Sequence, residues 1–392
     1  MAEISVRLCD PVLVSASVTG ETRWGVHQFP AMSRMPDGGL LLMFADAEDR
    51  HETHGWPAPS FVSYDEGESW LPMNDEPRPI RPHYAVSEIF DGDYLVVPAS
   101  RYLDIEKDGI RLPEPAAVGD TYGTRYTYRV SDMPPAIQDY FRYLPARRWS
   151  PGSGVWEDGV VEYDMDGLLA MRRERSTVLP RTFFERPLVR HKGELLYADY
   201  RGLHAREDGS VPAKGTSTLM VSTDNGRSFQ RRSIIAMDPS DNDLMGEPHL
   251  SPTVDGRLVC VIRRTDQDQK PMCVTWSADS GRTWTPVKDL FEFGVWPCVL
   301  LLGNGTMVLS YGRPGVHMAF DPNGTGESWT KQVAVIEGDP AEKSKHTCGY
   351  TSLMPLDDDS FLIAYSDFLY ADERGAQCKA ILTRRVQAVT VD

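Results

Sequence analysis

The sequence has few positive charges and contains no apolar run long enough to cross a membrane. Lys and Arg number 41 against 57 Asp and Glu, which gives a formal net charge of −16 at pH 7. Without a basic stripe to neutralise phosphates, nucleic acid is excluded as a partner. Residues 1–7 lack the basic-then-apolar pattern of a secretion signal. These absences predict a cytoplasmic protein that binds neither nucleic acid nor a membrane.

Paired cysteines and zinc-protease motifs are also missing. The six cysteines are scattered without a C-x-x-C pair, and no H-E-x-x-H occurs. Free, buried thiols are the expected state of such cysteines. The spacing of His51 and His54 permits a pair of metal ligands, but the prediction is that the protein holds neither a metal nor a cofactor.

One short pattern, Ser-x-Asp-x-Gly-x-(Ser/Thr)-aromatic, occurs three times, at residues 63–70, 222–229 and 277–284. Asp bonds nearby backbone amides and Gly adopts positive φ without steric cost, so the pattern suits a tight turn. Each copy is flanked by β-rich segments, which predicts a hairpin turn between two strands. The closing aromatic residue would anchor each turn in a core.

A second repeated unit is a turn that leads into an apolar strand. It occurs six times, at residues 36–44, 91–97, 192–197, 255–261, 304–309 and 357–363. Such continuous apolar runs are typical of strands that are buried on both faces. The repeats therefore predict sheets packed against one another along the whole chain.

The three turns resemble the Asp-box, or bacterial neuraminidase repeat, of the sialidase superfamily. This resemblance implies an all-β fold, a six-bladed β-propeller with four-stranded antiparallel blades, in one domain covering residues 1–392. Residues 4–15 are expected to pair near residues 386–391 and close the ring. An insertion at about residues 104–181 predicts either a long protruding loop or a seventh blade, and six blades are preferred. In this superfamily the Asp-box lies on the outer rim and carries no chemistry.

Two segments resemble the catalytic motifs of sialidases. Glu247 lies in Gly246-Glu247-Pro248, and Arg263 follows about one strand later. Tyr350 lies in Gly349-Tyr350-Thr351-Ser352-Leu353, similar to the Gly-Tyr-Ser-x-Leu segment of the family. The resemblance makes Tyr350 the nucleophile, Glu247 its supporting base and Arg263 part of a carboxylate clamp. A phenol with a pKa near 10 is a poor nucleophile unless a base assists it.

The remaining clamp positions match less well. Arg313 resembles a second clamp arginine, although the family usually places that residue after the proline, and Trp296 is predicted to stack a sugar ring. Sialidases begin with Arg-Ile-Pro, whereas Gln28-Phe29-Pro30 occupies the corresponding segment here. Losing one charge-assisted contact costs roughly 1.5–3 kcal/mol. A differently placed acid group, or a neutral sugar, therefore becomes an alternative.

In the family the general acid comes from the loop that corresponds here to the one after the first apolar strand. Asp49 is the first candidate here and Asp46 the second. Charged or titratable neighbours in this loop and one cation from the third unit are predicted to contact substrate: Arg50, His51, His54 and Arg201. Arg201 would replace the missing clamp cation, with an internal ion pair to Glu185 as its alternative.

The predicted function is an exo-acting glycoside hydrolase of sialidase-like type, which removes a terminal acidic sugar from a glycan or oligosaccharide. One alternative is a polysaccharide lyase, in which His51, His54 or His249 acts with a tyrosine to remove the proton α to a uronate carboxylate. Another is a propeller that binds glycans without turnover. In each case carbohydrate is the predicted partner.

Overall fold

The computed structural model describes residues 3–53, 56, 58–73, 85–98, 103–120, 124–165, 167–171, 176–179, 181–200, 204–206, 208–212, 214–265 and 270–391. Its strands are β1 (Glu3–Ala16), β2 (Val26–Arg34), β3 (Leu40–Asp46), β4 (Ser60–Ser63), β5 (Leu71–Pro72), β6 (Ser87–Glu88), β7 (Tyr94–Val96), β8 (Ala117–Asp120), β9 (Thr124–Arg129), β10 (Tyr143–Trp149), β11 (Trp156–Tyr163), β12 (Leu168–Met171), β13 (Val189–His191), β14 (Glu194–Asp199), β15 (Ser217–Ser222), β16 (Ser228–Ala236), β17 (Met245–Pro252), β18 (Leu258–Arg264), β19 (Met272–Ser277), β20 (Lys288–Leu290), β21 (Val295–Leu301), β22 (Met307–Gly312), β23 (Val316–Asp321), β24 (Lys331–Ile336), β25 (Thr351–Pro355), β26 (Ser360–Ala371) and β27 (Gln377–Val391).

Helix is rare in the described ranges. There is one α-helix, α1 (Pro135–Arg142), and there are three 3-10 turns, at His51–Thr53, Phe90–Gly92 and Val130–Asp132. None of the described helices is long and apolar enough to span a bilayer.

The strands form four-stranded antiparallel groups. Three separate sheets have the orders β2-β3-β4-β5, β17-β18-β19-β20 and β21-β22-β23-β24, and a fourth has the order β1-β27-β26-β25. Two further groups, β6-β7-β10-β11 and β13-β14-β15-β16, are joined where β11 pairs with β16 in parallel. The described strands thus supply six such groups, one for each repeated turn-and-strand unit. These groups are the blades, numbered one to six in the order of those units.

Hydrogen bonds connect the innermost strands to one another in a closed circle. Three are donated by backbone amides to serine hydroxyls: Val86 to Ser33 at 3.0 Å, Leu188 to Ser87 at 2.9 Å and Met32 to Ser352 at 3.0 Å. The others join Arg186 to His249, Val299 to His249 and Cys298 to Thr351. The ring encloses a central channel of about 410 Å³, lined by all six inner strands. The predicted β-propeller with four-stranded antiparallel blades is confirmed.

The hydrophobic core is divided among the blade interfaces. Six clusters each combine side chains from two adjacent blades, for example Leu42 of β3 with Leu362 of β26, and Val261 of β18 with Leu309 of β22. The continuous apolar runs of the sequence are explained by this arrangement, because the second strand of a blade has a neighbouring blade on each face.

The antiparallel order of each blade determines which loops meet at each end of the channel. Within a blade, antiparallel pairing places the start of the first, innermost strand beside the end of the second strand. Examples are Val26 with Asp46, Met245 with Arg264 and Val295 with Gly312. The connection from the second to the third strand therefore lies at this same end, which we name the mouth. Turns between the third and fourth strands lie at the opposite end.

The three repeated turns share one set of hydrogen bonds and join the third and fourth strands of their blades. In the first, Ser63 Oγ donates to Asp65 and accepts from the Gly67 amide, while Asp65 accepts from the amide and hydroxyl of Ser69. The other two copies repeat these bonds. Trp70 Nε1 also donates to Thr383 Oγ1 of an adjacent blade, at 3.0 Å. These turns therefore lie away from the mouth.

The segment between β7 and β10, together with the one between β11 and β13, builds a small structure of its own. Strands β8 and β9 pair with each other, β12 pairs with β9, and α1 adds Phe141 to a core with Tyr128 and Leu169. The described residues of both segments thus build a three-stranded sheet and not a seventh four-stranded blade. The first segment connects the second and third strands of its blade, and the other follows β11, which ends at the mouth because it runs antiparallel to β10, so both project from the mouth.

Candidate active site

Three inner strands enter the mouth through an unusual backbone conformation. Phe29, Glu247 and Trp296 each precede a proline and have positive φ, at 55°, 48° and 49°. Each lies where the register between the first and second strand of its blade shifts. Such bulges redirect side chains, and a left-handed conformation is costly for a residue other than glycine. The same conformation therefore occurs at the equivalent position of the inner strand in three blades.

Glu247 lies at the centre of a buried cluster. Its Oε1 accepts from Tyr350 Oη at 2.5 Å and from Arg263 Nη1 at 2.8 Å. Its Oε2 accepts from the backbone amide of Trp296 at 2.8 Å. Glu247 and Arg263 are only 6% and 8% exposed. Side chains from the fourth, fifth and sixth blades therefore meet here, including four of the residues predicted from the sequence.

The pKa values of Glu247 and Tyr350 are shifted in opposite directions. Burial opposes ionisation of Glu247, but Arg263, the Tyr350 hydroxyl and the Trp296 amide outweigh it and hold its pKa below the ordinary value. Burial and the adjacent Glu247 raise the pKa of Tyr350 well above its usual value. At neutral pH Glu247 is therefore the anion and Tyr350 the proton carrier.

Trp296 is enclosed between two side chains. The ring of Tyr350 stacks on it with centroids 4.6 Å apart and an interplanar angle of 10°. The guanidinium carbon of Arg186 lies 3.9 Å from the indole centroid. Two groups this close occupy opposite faces of one indole, so neither face is open to a sugar. The predicted stacking of a sugar on Trp296 is therefore wrong for this arrangement.

Arg313 lies above the tyrosine. Its Nε and Nη2 donate to the carbonyl oxygen of Cys348 at 3.2 and 2.8 Å. Its guanidinium carbon is 5.1 Å from the ring of Trp24 and 5.9 Å from that of Tyr350. Phe29 completes this aromatic wall, 4.7 Å from the Tyr350 ring. Sequence reasoning missed Trp24 and Phe29, although the proline after Phe29 matches those after Glu247 and Trp296.

Gln28 does not reach the mouth as a ligand-binding group. It is 0% exposed, and with its amide oriented to satisfy both neighbours its oxygen accepts from the Gly25 amide at 3.3 Å and Lys379 Nζ at 3.2 Å. The prediction of Gln28 as a substrate contact is therefore corrected, because the protein encloses it. Lys379 was missed; burial lowers its pKa. A single lysine in the apolar run of β27 was the available signal.

The two general-acid candidates lie at the mouth, where Asp46 ends β3 and Asp49 lies on the loop that follows. Asp46 Oδ1 is 2.9 Å from His27 Nδ1, and His27 Nε2 is 3.1 Å from Ser15 Oγ. The Asp46 side chain is 39% exposed. Asp49 is exposed, and its amide donates to the carbonyl of Trp24 at 3.2 Å. Both side chains are thus accessible to solvent, and the backbone of Asp49 contacts that of Trp24.

The other predicted substrate contacts are less well placed or fall outside the described residues. Arg50 forms an exposed ion pair with Glu48 at 2.6 Å. His51 lies in a 3-10 turn, and its side chain is not described. His54 and Arg201 lie outside the described residues.

The channel begins directly beneath this cluster. Its lining includes Glu185, Arg186, His249, Trp296 and Tyr350 but not Glu247. Tyr350 therefore borders both the channel and the Glu247 carboxylate. The described part of the chain contains no group of three or more His, Cys, Asp or Glu side chains that could hold a metal ion.

Known proteins resemble this chain in structure but not in sequence. No protein-family model and no curated protein sequence matches the chain. A protein of unknown function from Dyadobacter fermentans has a TM-score of 0.65 at 17% identity, covering 97% of this chain and 99% of that one. The chain has the same fold.

Two glycosidases with bound sugars share this propeller. The α-L-arabinanase of Penicillium chrysogenum has a TM-score of 0.58 at 14% identity, over 96% of this chain and 98% of that one. A leech intramolecular trans-sialidase has a TM-score of 0.53 at 12% identity, over 98% and 70%. At such identities the likeness establishes the fold alone.

Proposed function

We propose that the protein is an exo-acting glycoside hydrolase in which Tyr350 and Glu247 form the reacting pair. The observation that supports this most is the 2.5 Å hydrogen bond from Tyr350 Oη to Glu247 Oε1, buried at the mouth of the propeller. A phenol held by an ionised carboxylate is what a tyrosine nucleophile requires. The shared fold of an arabinanase and a trans-sialidase supports the same reaction class.

In the proposed first step Tyr350 Oη bonds to the anomeric carbon while Glu247 takes the phenolic proton. Because the pKa of Tyr350 is raised, proton transfer accompanies bond formation instead of preceding it. Asp46 or Asp49 protonates the departing glycosidic oxygen. Water then attacks the same carbon and gives a proton to the carboxylate that acted as the acid, the carbon–Oη bond breaks, and Glu247 returns its proton to the phenolate. Arg263 remains paired with Glu247 and fixes its orientation.

Exo action is supported by the small structure that projects from the second blade, formed by the segment between β7 and β10 and the one between β11 and β13. Ser176 Oγ donates to Glu52 Oε1 at 2.8 Å, on the loop that carries Asp46 and Asp49. On the other side, Arg129 Nη2 donates to the carbonyl of Gly209 at 3.3 Å, on the corresponding loop of the third blade. This small structure thus connects loops of both neighbouring blades and walls one side of the mouth. Such a wall favours entry of a chain end over passage of a continuous polymer.

The contacts of the three clamp positions favour a neutral terminal sugar over the acidic one expected from the sequence. Arg263 is paired with Glu247, two groups of Arg313 donate to the Cys348 carbonyl, and Gln28 is enclosed. A sugar carboxylate would have to compete with each of these partners. The arabinanase was solved with arabinobiose, an uncharged disaccharide, which is consistent with this proposal.

The lyase alternative loses support at His249. Its Nδ1 accepts the Val299 amide at 2.9 Å, so the neutral ring carries its proton on Nε2. Burial and the nearby Arg186 lower the pKa of His249 well below its usual value. Neither ring nitrogen therefore offers a free lone pair for removing a proton from a sugar.

A panel of aryl glycosides and oligosaccharides, neutral and uronate-containing, tests the proposal with Tyr350→Phe and Glu247→Gln. On any substrate found, each variant should lose about 10²–10⁴-fold in kcat. Tyr64→Phe, at the rim and bonded to Asp37, is the matched control and should keep full activity. Survival of activity in both site variants would contradict the mechanism. A product absorbing in the ultraviolet would indicate elimination, and binding without turnover would indicate a glycan-binding propeller.

A further inference from the structure

We propose that Arg313 is a positioning residue for the nucleophile Tyr350 and not a ligand of a substrate carboxylate. From the end of β22 in the fifth blade, it holds the backbone that leads to Tyr350 and β25 in the sixth. The role depends on the proposed function, because a fixed phenol matters for hydrolysis only if Tyr350 reacts. It departs from the substrate clamp that the resemblance to sialidases implies for this arginine.

The guanidinium of Arg313 is bound to a backbone carbonyl. Its Nε and Nη2 both donate to the oxygen of Cys348, at 3.2 and 2.8 Å. Cys348 is 0% exposed, so water cannot take the place of these donors. A buried carbonyl that loses its donors is costly. The edge of the guanidinium that could grip a carboxylate with two parallel bonds is therefore committed to the chain two positions before Tyr350.

The fifth and sixth blades also touch through two glycines at this point. A Cβ atom on Gly312 would lie 2.3 Å from the oxygen and 2.4 Å from the Cα atom of Gly349. A Cβ atom on Gly349 would lie 2.8 Å from the backbone nitrogen of Arg313. The two backbones are thus in direct contact, which requires glycine on both sides. This close approach brings the Arg313 side chain within reach of Cys348.

The backbone before Tyr350 needs to be held from outside. Gly349 has φ of +76°, in a region that glycine enters and leaves at little cost. Within the sixth blade, Ser366 Oγ accepts the Cys348 amide at 3.3 Å. Arg313 adds the contact from the fifth blade, so that the amide and the carbonyl of Cys348 are each bound by a different blade.

A shift of this backbone would displace the reacting pair. The hydroxyl of Tyr350 is at the far end of its side chain, and its oxygen lies 2.5 Å from Glu247 Oε1. Misplacing a reacting group by about 1 Å can cost about 10²-fold in rate. Loss of the Arg313 contact should therefore lower kcat, whichever sugar is bound.

Steady-state kinetics on neutral and uronate-containing substrates test this role. Arg313→Gln should lower kcat about 10²-fold on every substrate and leave KM unchanged. Arg313→Lys keeps the positive charge but replaces the planar fork with a flexible ammonium, so its kcat should also fall, though less. Arg282→Gln is the matched control and should keep full kcat. Arg282 Nη1 likewise donates to a backbone carbonyl, that of Asp279 at 3.0 Å, but at the rim.

Two kinetic results would overturn the proposal. If Arg313 binds a substrate carboxylate, Arg313→Gln should raise KM on the acidic substrates alone and leave kcat unchanged. If only its charge acts on the reacting pair, Arg313→Lys should keep the wild-type kcat.

A second measurement does not use activity. In crystals of Arg313→Gln, Tyr350 Oη should have moved out of hydrogen-bond distance of Glu247 Oε1, and in Arg313→Lys it should lie farther from this oxygen than in wild-type crystals. A phenol that stays in place in both variants would contradict the positioning role. If no substrate were found, the proposed hydrolase would fail, while this comparison would still decide what Arg313 holds.

Discussion

The turns at the rim and the cluster at the mouth are held by hydrogen bonds of different range. In the turn at residues 222–229, Ser222 and Asp224 bind groups two to four positions away. At the mouth, Glu247 binds groups 16, 49 and 103 positions away. The rim turns thus depend on local sequence, whereas the mouth depends on closure of the whole ring. Repetition is possible at the rim, while the blades that meet in the Glu247 cluster each contribute different residues.

The largest loss of stability is expected from a substitution in the Glu247 cluster at the mouth. Glu247→Ala would remove the buried carboxylate that accepts from Arg263 Nη1, which should cost about 3–5 kcal/mol of unfolding free energy. Urea denaturation measures this loss. In a double-mutant cycle, adding Arg263→Ala should cost much less than it does alone. Additive costs would mean that the two side chains are not coupled.

A smaller loss of stability is expected from a substitution in the rim turn at residues 277–284, which packs on the adjacent blade. Gly281 has φ of +80°, and a Cβ atom there would lie 2.1 Å from Leu219 Cδ2 of the adjacent blade. Gly281→Ala should cost about 1–3 kcal/mol, from backbone strain and overpacking together. Gly256→Ala is the control, because φ is +81° with no atom within 4 Å of the added Cβ. Equal costs in thermal unfolding would show that packing between blades contributes nothing at this turn.

The rim also predicts a dependence on pH. Hydrogen bonds from the side chain and amide of Ser69 lower the pKa of Asp65 to about 2. A carboxyl with a depressed folded-state pKa stabilises the fold above its unfolded pKa of about 4, and this contribution disappears as the pH falls towards 2. The difference in melting temperature between wild type and Asp65→Asn should therefore shrink between pH 5 and pH 2.5. If the difference in melting temperature stayed constant over this pH range, the negative charge of Asp65 would not contribute to stability.

The smallest effect is expected at Arg50. Its ion pair with Glu48 is exposed to solvent on both sides, so Arg50→Ala should leave the melting temperature unchanged within error. If Arg50 contacts substrate as the sequence suggested, KM should rise while kcat stays constant. An unchanged KM would remove Arg50 from the site.

Local patterns explain which features the sequence predicted. The rim turns and the six apolar strands are encoded within short segments. The pairing of β1 with β27 joins distant segments, and it was predicted from the closed ring that the resemblance implies. Tyr350 and Glu247 were located through motifs. The sandwich of Arg186, Trp296 and Tyr350 was not predicted, because it joins three blades. Gln28 was misjudged for the same reason: Lys379, its partner, lies 351 positions away and enters from the last strand.

The pairing of β1 with β27 sets an order of events during synthesis. Residues 3–16 are made before every other strand of the ring, whereas their partners at residues 380–391 are made after all of them. The leading strand must therefore remain unpaired while the intervening blades assemble, and the ring closes only after residues 380–391 have left the ribosome. A nascent chain stalled before residue 380 should expose this strand to proteases, whereas the released chain should protect it.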